Sequence, residues 1–73
     1  MTSQRPTSFA EFADILDSMP VILLNVRRAR GVSQREAATQ AGMSFSTISR
    51  MESGEEFTST SLRAILVWLE KSP

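Results

Sequence analysis

The sequence predicts an all-α domain of five short helices. Three observations lead there. Apolar residues recur at three- and four-residue spacing in separate stretches, as on the buried stripe of a helix. Serines stand just ahead of most of those stretches, where N-caps belong, and Gly31, Gly42 and Gly54 stand where helices would stop. No stretch alternates polar and apolar residues as a half-buried strand does.

Residues 1–7 are polar, contain Pro6 and lack periodicity, which reads as a disordered arm ahead of one domain over residues 8–73. Ser8 with Glu11 three residues on has the form of a capping box. It opens a helix from Phe9 to Ser18. Phe9, Phe12, Ile15, Leu16 and Met19 make its apolar stripe, open to reading as core or as a dimer seam, and Glu11, Asp14 and Asp17 make its other face. Pro20 suits the first turn of a second helix. Val21 and Leu24 are expected to lead the inner face of that helix. Arg27, Arg28 and Arg30 suit its negative end, and Gly31 its left-handed cap.

Ser33 and Glu36 repeat the capping pattern before a helix from Gln34 to Ala41. Ala37, Ala38 and Ala41 are small on its inner side. Gly42 closes it and Met43 turns inward. Ser44 then caps a helix from Phe45 to Glu52, with Ile48 and Met51 facing the core and Phe45, Ser46, Ser49 and Arg50 facing out. After a loop, Ser59, Thr60 or Ser61 is expected to cap a last helix reaching Glu70. Its stripe is Leu62, Ile65, Leu66 and Leu69, with Trp68 as a core residue beside it.

Composition narrows the function. The chain has 73 residues, no cysteine and no histidine, so disulfides, thiolate metal sites and the usual general base are absent. No carboxylates pair beside a nucleophile, and an enzyme is the least favoured class; no cofactor, metal or small-molecule ligand is expected. The run Val21 to Leu24 is far too short to span a bilayer, and the polar start lacks a signal-peptide pattern, so a soluble cytoplasmic setting is the default. Eight basic and eight acidic residues cancel, which counts against strong attraction to phosphate. Arg27, Arg28, Arg30 and Arg35 nevertheless cluster, away from Glu55 and Glu56.

The stretch Ser33 to Gly54 is a short helix, a glycine turn and a second short helix, the layout in which the second helix enters the DNA major groove. It resembles the lambdoid phage repressor and Cro-type (XRE-like) helix-turn-helix family. The matching residues are Leu24, Arg27, Arg30 and Gly31, Ser33-Gln34 with Ala37-Ala38, Ala41-Gly42-Met43-Ser44, the run Ser46 to Gly54, and Leu62. The resemblance implies a lambda repressor-like fold that binds operator DNA, usually as a homodimer. It therefore suggests a sequence-specific regulator of transcription, of the phage Cro or immunity-repressor kind. Two departures stand out. The N-terminal helix is extra, and no family-type helix follows Glu70. Glu55-Glu56 also occupies a loop that in the family approaches phosphate and often carries a basic residue.

Candidate DNA-binding residues follow. Gln34 and the N–H groups at its helix start can hold a phosphate; otherwise it is an ordinary first-turn residue. Ser44 is an N-cap that can also face phosphate. Phe45 either packs on a thymine methyl or folds back against Met43. Ser46 can bond donor or acceptor base edges. The resemblance gives Thr47 a phosphate role. Ser49 and Arg50 lie one turn on, and Arg50 is the best candidate for bidentate contact to guanine. The resemblance also pairs Arg27 with Glu52 as an internal salt bridge, leaving Arg28, Arg30 and Arg35 for phosphate or for a solvated face. The N–H groups at Ser59 to Ser61 are a possible second phosphate seat. The rival reading keeps the fold but binds another protein, as an antirepressor or toxin partner would. Zero net charge, Glu55-Glu56 and the acidic first helix favour it.

Overall fold

The computed structural model describes residues 8–71, so the arm over residues 1–7 lies outside the described residues. Five helices follow one another: α1 Phe9–Asp17, α2 Met19–Arg30, α3 Gln34–Ala41, α4 Phe45–Glu52 and α5 Ser59–Glu70. There is no strand among the described residues. No helix is long and apolar enough to cross a membrane.

The helix ends follow from local chemistry. Ser8, Ser33 and Ser44 accept the N–H of the residue three further on, and Ser33 with Glu36 forms a full capping box. Gly42 takes φ +73 as a left-handed cap, and its N–H reaches back to Ala38 and Thr39 carbonyls. The α1–α2 joint is the single residue Ser18. Pro20 has no N–H to continue the α1 ladder, so the chain breaks there and restarts. The cap of α5 is Thr58, one residue before the expected trio. Its extended backbone lets Oγ1 accept the Ser61 N–H at 3.1 Å, which leaves Ser59 to Ser61 inside the first turn.

The core is Met19, Leu23, Ala37, Ala38, Ile48, Met51, Ile65 and Trp68, drawn from α2 to α5. Ala37 and Ala38 present almost no side-chain bulk, which lets α4 lie close on α3; α4 packs on α2 as well. Each fully buried Leu, Ile or Met is worth about 1.5–3 kcal/mol, so losing one removes much of the stability of so small a domain.

Two apolar faces differ from expectation. On α2, Met19 and Leu23 are buried while Val21 is 61% exposed. The helix restarts at Ser18, and that start turns Met19 rather than Val21 into the core. On α1 nothing is buried: Phe9 is 95%, Phe12 41% and Ile15 37% exposed. Of the predicted stripe, Met19 meets the core reading, whereas Phe9, Phe12 and Ile15 do not among the described residues, where α1 packs chiefly along α2.

Arg30 has a role the sequence did not suggest. Its guanidinium donates to the carbonyls of Trp68 at 3.0 Å and Leu69 at 3.1 Å, and to that of Lys71. It also lies over the Trp68 ring, 4.4 Å from the centroid. A cation thus meets the bare carbonyls and negative dipole end of α5. Trp68 Nε1 in turn donates to Gln40 Oε1 at 2.9 Å, tying α5 to α3. Arg30→Ala is expected to lower unfolding free energy by about 1–2 kcal/mol in urea titration, with Arg30→Lys recovering only part because an ammonium lacks the planar fork.

Candidate nucleic-acid interface

The helix-turn-helix packs α3 against α4. What holds them is an ion pair at the far end of α4. Arg27 Nε donates to Glu52 Oε2 at 2.7 Å and Nη2 to Oε1 at 3.1 Å, a bidentate pair. Arg27 Nη1 donates to the Val32 carbonyl at 3.1 Å, and Gln34 Nε2 donates to Glu52 Oε1 at 3.0 Å. The side chains are only 16% and 8% exposed. One cluster thus joins α2, the α2–α3 turn, the first residue of α3 and the last residue of α4.

Burial pushes the Glu52 carboxyl up, but the hydrogen bonds from Arg27 and Gln34 and the charges of Arg27 and Arg28 outweigh it, leaving it below the usual range. The hydrogen bond from Glu52 raises Arg27, which stays charged at any working pH. Glu36 is lowered too, by the Ser33 N–H and then the Ser33 side chain, as part of its capping box.

The expected site residues are placed as follows. Gln34 commits one amide proton to Glu52 and keeps a second proton and an acceptor oxygen. Ser44 Oγ accepts the Thr47 N–H at 3.1 Å and lies 2.8 Å from Thr47 Oγ1, so the two hydroxyls form a linked pair over the first turn of α4. Ser46 is exposed. Ser49 is half-buried, and its carbonyl accepts the Ser53 hydroxyl at 2.9 Å. Arg50 is exposed and has no ion-pair partner among the described residues. It lines an open depression with Thr47, Glu56, Phe57, Thr58 and Ser61. Both the α5 N-terminus and one carboxylate of the loop therefore face the same space as Arg50.

Phe45 shows a contact absent from both sequence alternatives. Its ring is 37% exposed, and the guanidinium carbon of Arg35 lies 4.4 Å from the ring centroid. Arg35 is in the first turn of α3 and Phe45 opens α4, so the motif itself sets them side by side. Sequence spacing alone did not suggest the pairing, because the residues stand ten apart across a turn.

Two capped helices crossing at a glycine turn, with an exposed face at the start of the second and a bidentate pair behind it, define a helix-turn-helix DNA-binding domain. The helix-turn-helix family model HTH_3 matches residues 23–70, and the chain belongs to this XRE-like family of DNA-binding regulators. No curated protein and no solved structure matches the chain. The matched span begins inside α2 and leaves α1 outside it.

The ion pair carries a sign that can be worked out. A carboxylate held below its ordinary value of 4.5 gives stability that is complete above that pH and is lost as pH falls through the lowered value. Glu52→Gln should flatten the acid-side loss of stability, followed by thermal melts from pH 6 down to about pH 2.5, leaving the share due to Glu36. Arg27→Ala, which strands the carboxylate, should cost about 2–3 kcal/mol at neutral pH.

Proposed function

We propose that the chain is a homodimeric, sequence-specific binder of double-stranded operator DNA that regulates transcription, in the manner of a phage Cro or immunity repressor. The observation that supports it most directly is the state of Arg50. It is exposed on α4 and unpaired among the described residues, whereas Arg27 and Arg30 have their donors committed within the fold. With α4 in the major groove, Arg50 donates both forks to guanine O6 and N7, and Ser46 bonds a neighbouring base edge. The second amide proton of Gln34 and the linked Ser44 and Thr47 hydroxyls serve phosphate oxygens, and Ser49 flanks Arg50. Phe45 stands at the leading edge of the helix. In this reading the effect on transcription comes from occupying DNA. A cytoplasmic setting follows from that target.

The dimer contact in this reading is α1. Phe9, Phe12 and Ile15 lie on one side, and Glu11, Asp14 and Asp17 on the other. At about 200 Å² for a whole phenylalanine, those three exposed residues leave on the order of 350 Å² of apolar surface per chain. Two copies face to face would cover about 700 Å² before any flanking residue is counted, a large part of the ~1,000 Å² a specific interface needs. The acidic faces point away from such a contact.

One observation favours the rival protein-binding module: Glu56 shares the depression of Arg50, so a carboxylate stands where phosphate would approach. Salt and selectivity separate the two. Selection from a random duplex pool should enrich a sequence with two-fold symmetry. Its affinity should fall with a log–log salt slope of about 0.9 per phosphate contacted. Arg50→Ala should weaken that duplex by about ten- to a hundredfold while leaving weak general binding in place. A flat salt response with no enriched sequence would sink the DNA reading in favour of the module.

The dimer has its own readout. Phe9→Glu with Phe12→Glu should give a monomer in sedimentation at micromolar concentration, with helicity kept, because both residues are exposed in the single chain. A parent chain that is itself monomeric would end the α1 interface.

A further inference from the structure

The geometry points to Phe45 and Arg35 acting together as a reader of a 5-methylpyrimidine beside a guanine, which makes binding responsive to cytosine C5 methylation. This inference rests on α4 entering the major groove. It adds what the leading edge of that helix selects.

Phe45 keeps 37% of its surface open at the first position of α4, where core packing does not require a large ring. Arg35 is exposed and has no carboxylate partner among the described residues; its guanidinium carbon sits 4.4 Å from the Phe45 centroid. The cation–π attraction biases both side chains toward this stack without any DNA present. That leaves an apolar ring and a five-donor cation, pre-arranged, at the start of α4.

The chemistry of the pair is restrictive. In the major groove a phenyl ring has nothing to give to hydrogen-bonding edges, and burying one against them leaves those edges unsatisfied. What it can cover is the methyl at C5 of thymine. Cytosine has a bare C5 and gains the same methyl when methylated. The guanidinium, in contrast, satisfies guanine O6 and N7. The spacing of the two groups, 4.4 Å, is close to the ~3.4 Å rise between successive bases. A stack lying along the groove would set ring and cation against neighbouring base pairs rather than the same one. A thymine–guanine step and a methylated cytosine–guanine step both present this pattern. An unmethylated cytosine–guanine step lacks the methyl.

The test starts from duplexes enriched by the full chain from a random pool, measured by fluorescence anisotropy. Deoxyuridine replaces each thymidine in turn, removing one methyl and keeping the pairing. One thymine is expected to matter, with about fourfold weaker binding on its loss, the factor for one buried methyl. At that position, in a cytosine–guanine step, 5-methylcytosine should bind about fourfold tighter than cytosine. Phe45→Ala should abolish both differences. Arg35→Ala should keep the methyl response and lose the preference for the adjacent guanine. A wild-type chain blind to every deoxyuridine replacement overturns the inference without any variant. So does a Phe45→Ala chain that still senses the methyl, and an Arg35→Ala chain that still prefers the guanine removes the paired reading. A pool with no enriched sequence overturns the operator reading and this one with it, whereas enriched but methyl-blind duplexes overturn this one alone.

Discussion

The bidentate pair between Arg27 and Glu52 is the constraint on which the rest of the structure depends. Its atoms reach α2, the turn at Val32, Gln34 at the start of α3 and the last residue of α4. A helix of eight residues, as α3 and α4 both are, is too short to be stable by itself. Its direction is set by what it is fastened to. Ile48 and Met51 fasten α4 by apolar burial, which resists removal but is tolerant of rotation. The fork of Arg27 is not tolerant, because two N–H bonds and one carboxylate plane fix an angle. Replacing such a pair by apolar residues often leaves stability unchanged or improves it, so the pair is better understood as setting geometry than as supplying net free energy.

The same view changes the meaning of the arginine cluster. In the sequence, Arg27, Arg28, Arg30 and Arg35 look like a basic strip. In the fold, Arg27 closes the ion pair, Arg30 caps α5 and Arg35 lies on Phe45. Guanidinium groups suit these jobs, since they stack on aromatic faces and bond carbonyls in a plane. Two of the four cations, Arg27 and Arg30, are therefore drawn into the scaffold. A chain of zero net charge with half its basic strip so engaged has little positive surface to spread along a phosphate backbone.

Much of the fold was legible because its signals are local. Ser33 with Glu36, Ser44 before Phe45, and Gly31 and Gly42 mark helix ends through groups within four residues of each other. The buried positions Ala37, Ala38, Ile48 and Met51 follow from spacing within one helix. What was missed is non-local or rotational. Arg30 meets Trp68 and Leu69 about forty positions away, and no period in the sequence encodes that. Val21 and Met19 are both apolar at the start of α2, and only the break at Ser18 decides which of them turns inward. Thr58 stands in a run of four hydroxyl residues, any of which can cap, and backbone angles choose among them. For α1, periodicity showed a face but not what covers it. In the candidate site, the places of Gln34 at the start of α3, Ser44 as the cap of α4 and Arg50 on its exposed side were legible through the motif, whereas the Arg35–Phe45 contact joins two helices across a turn.

Scarce positive surface has a consequence for how such a chain would discriminate among DNA sequences. General affinity for duplex comes almost wholly from phosphate neutralisation, and it competes with operator binding at every other site on a genome. In the proposed reading, a domain with Arg50 in the groove and Glu55 and Glu56 in the adjoining loop would hold general binding low. Selective affinity then has to come from groups that give nothing to the wrong sequence, such as a guanidinium fork, a hydroxyl and a ring. Each of those is worth only about 1–3 kcal/mol of discrimination. One copy of α4 therefore offers a modest ratio, and two copies across a two-fold axis would multiply it. An exposed apolar α1 beside a weakly charged reading head fits that division of labour, with pairing supplying the affinity that charge does not.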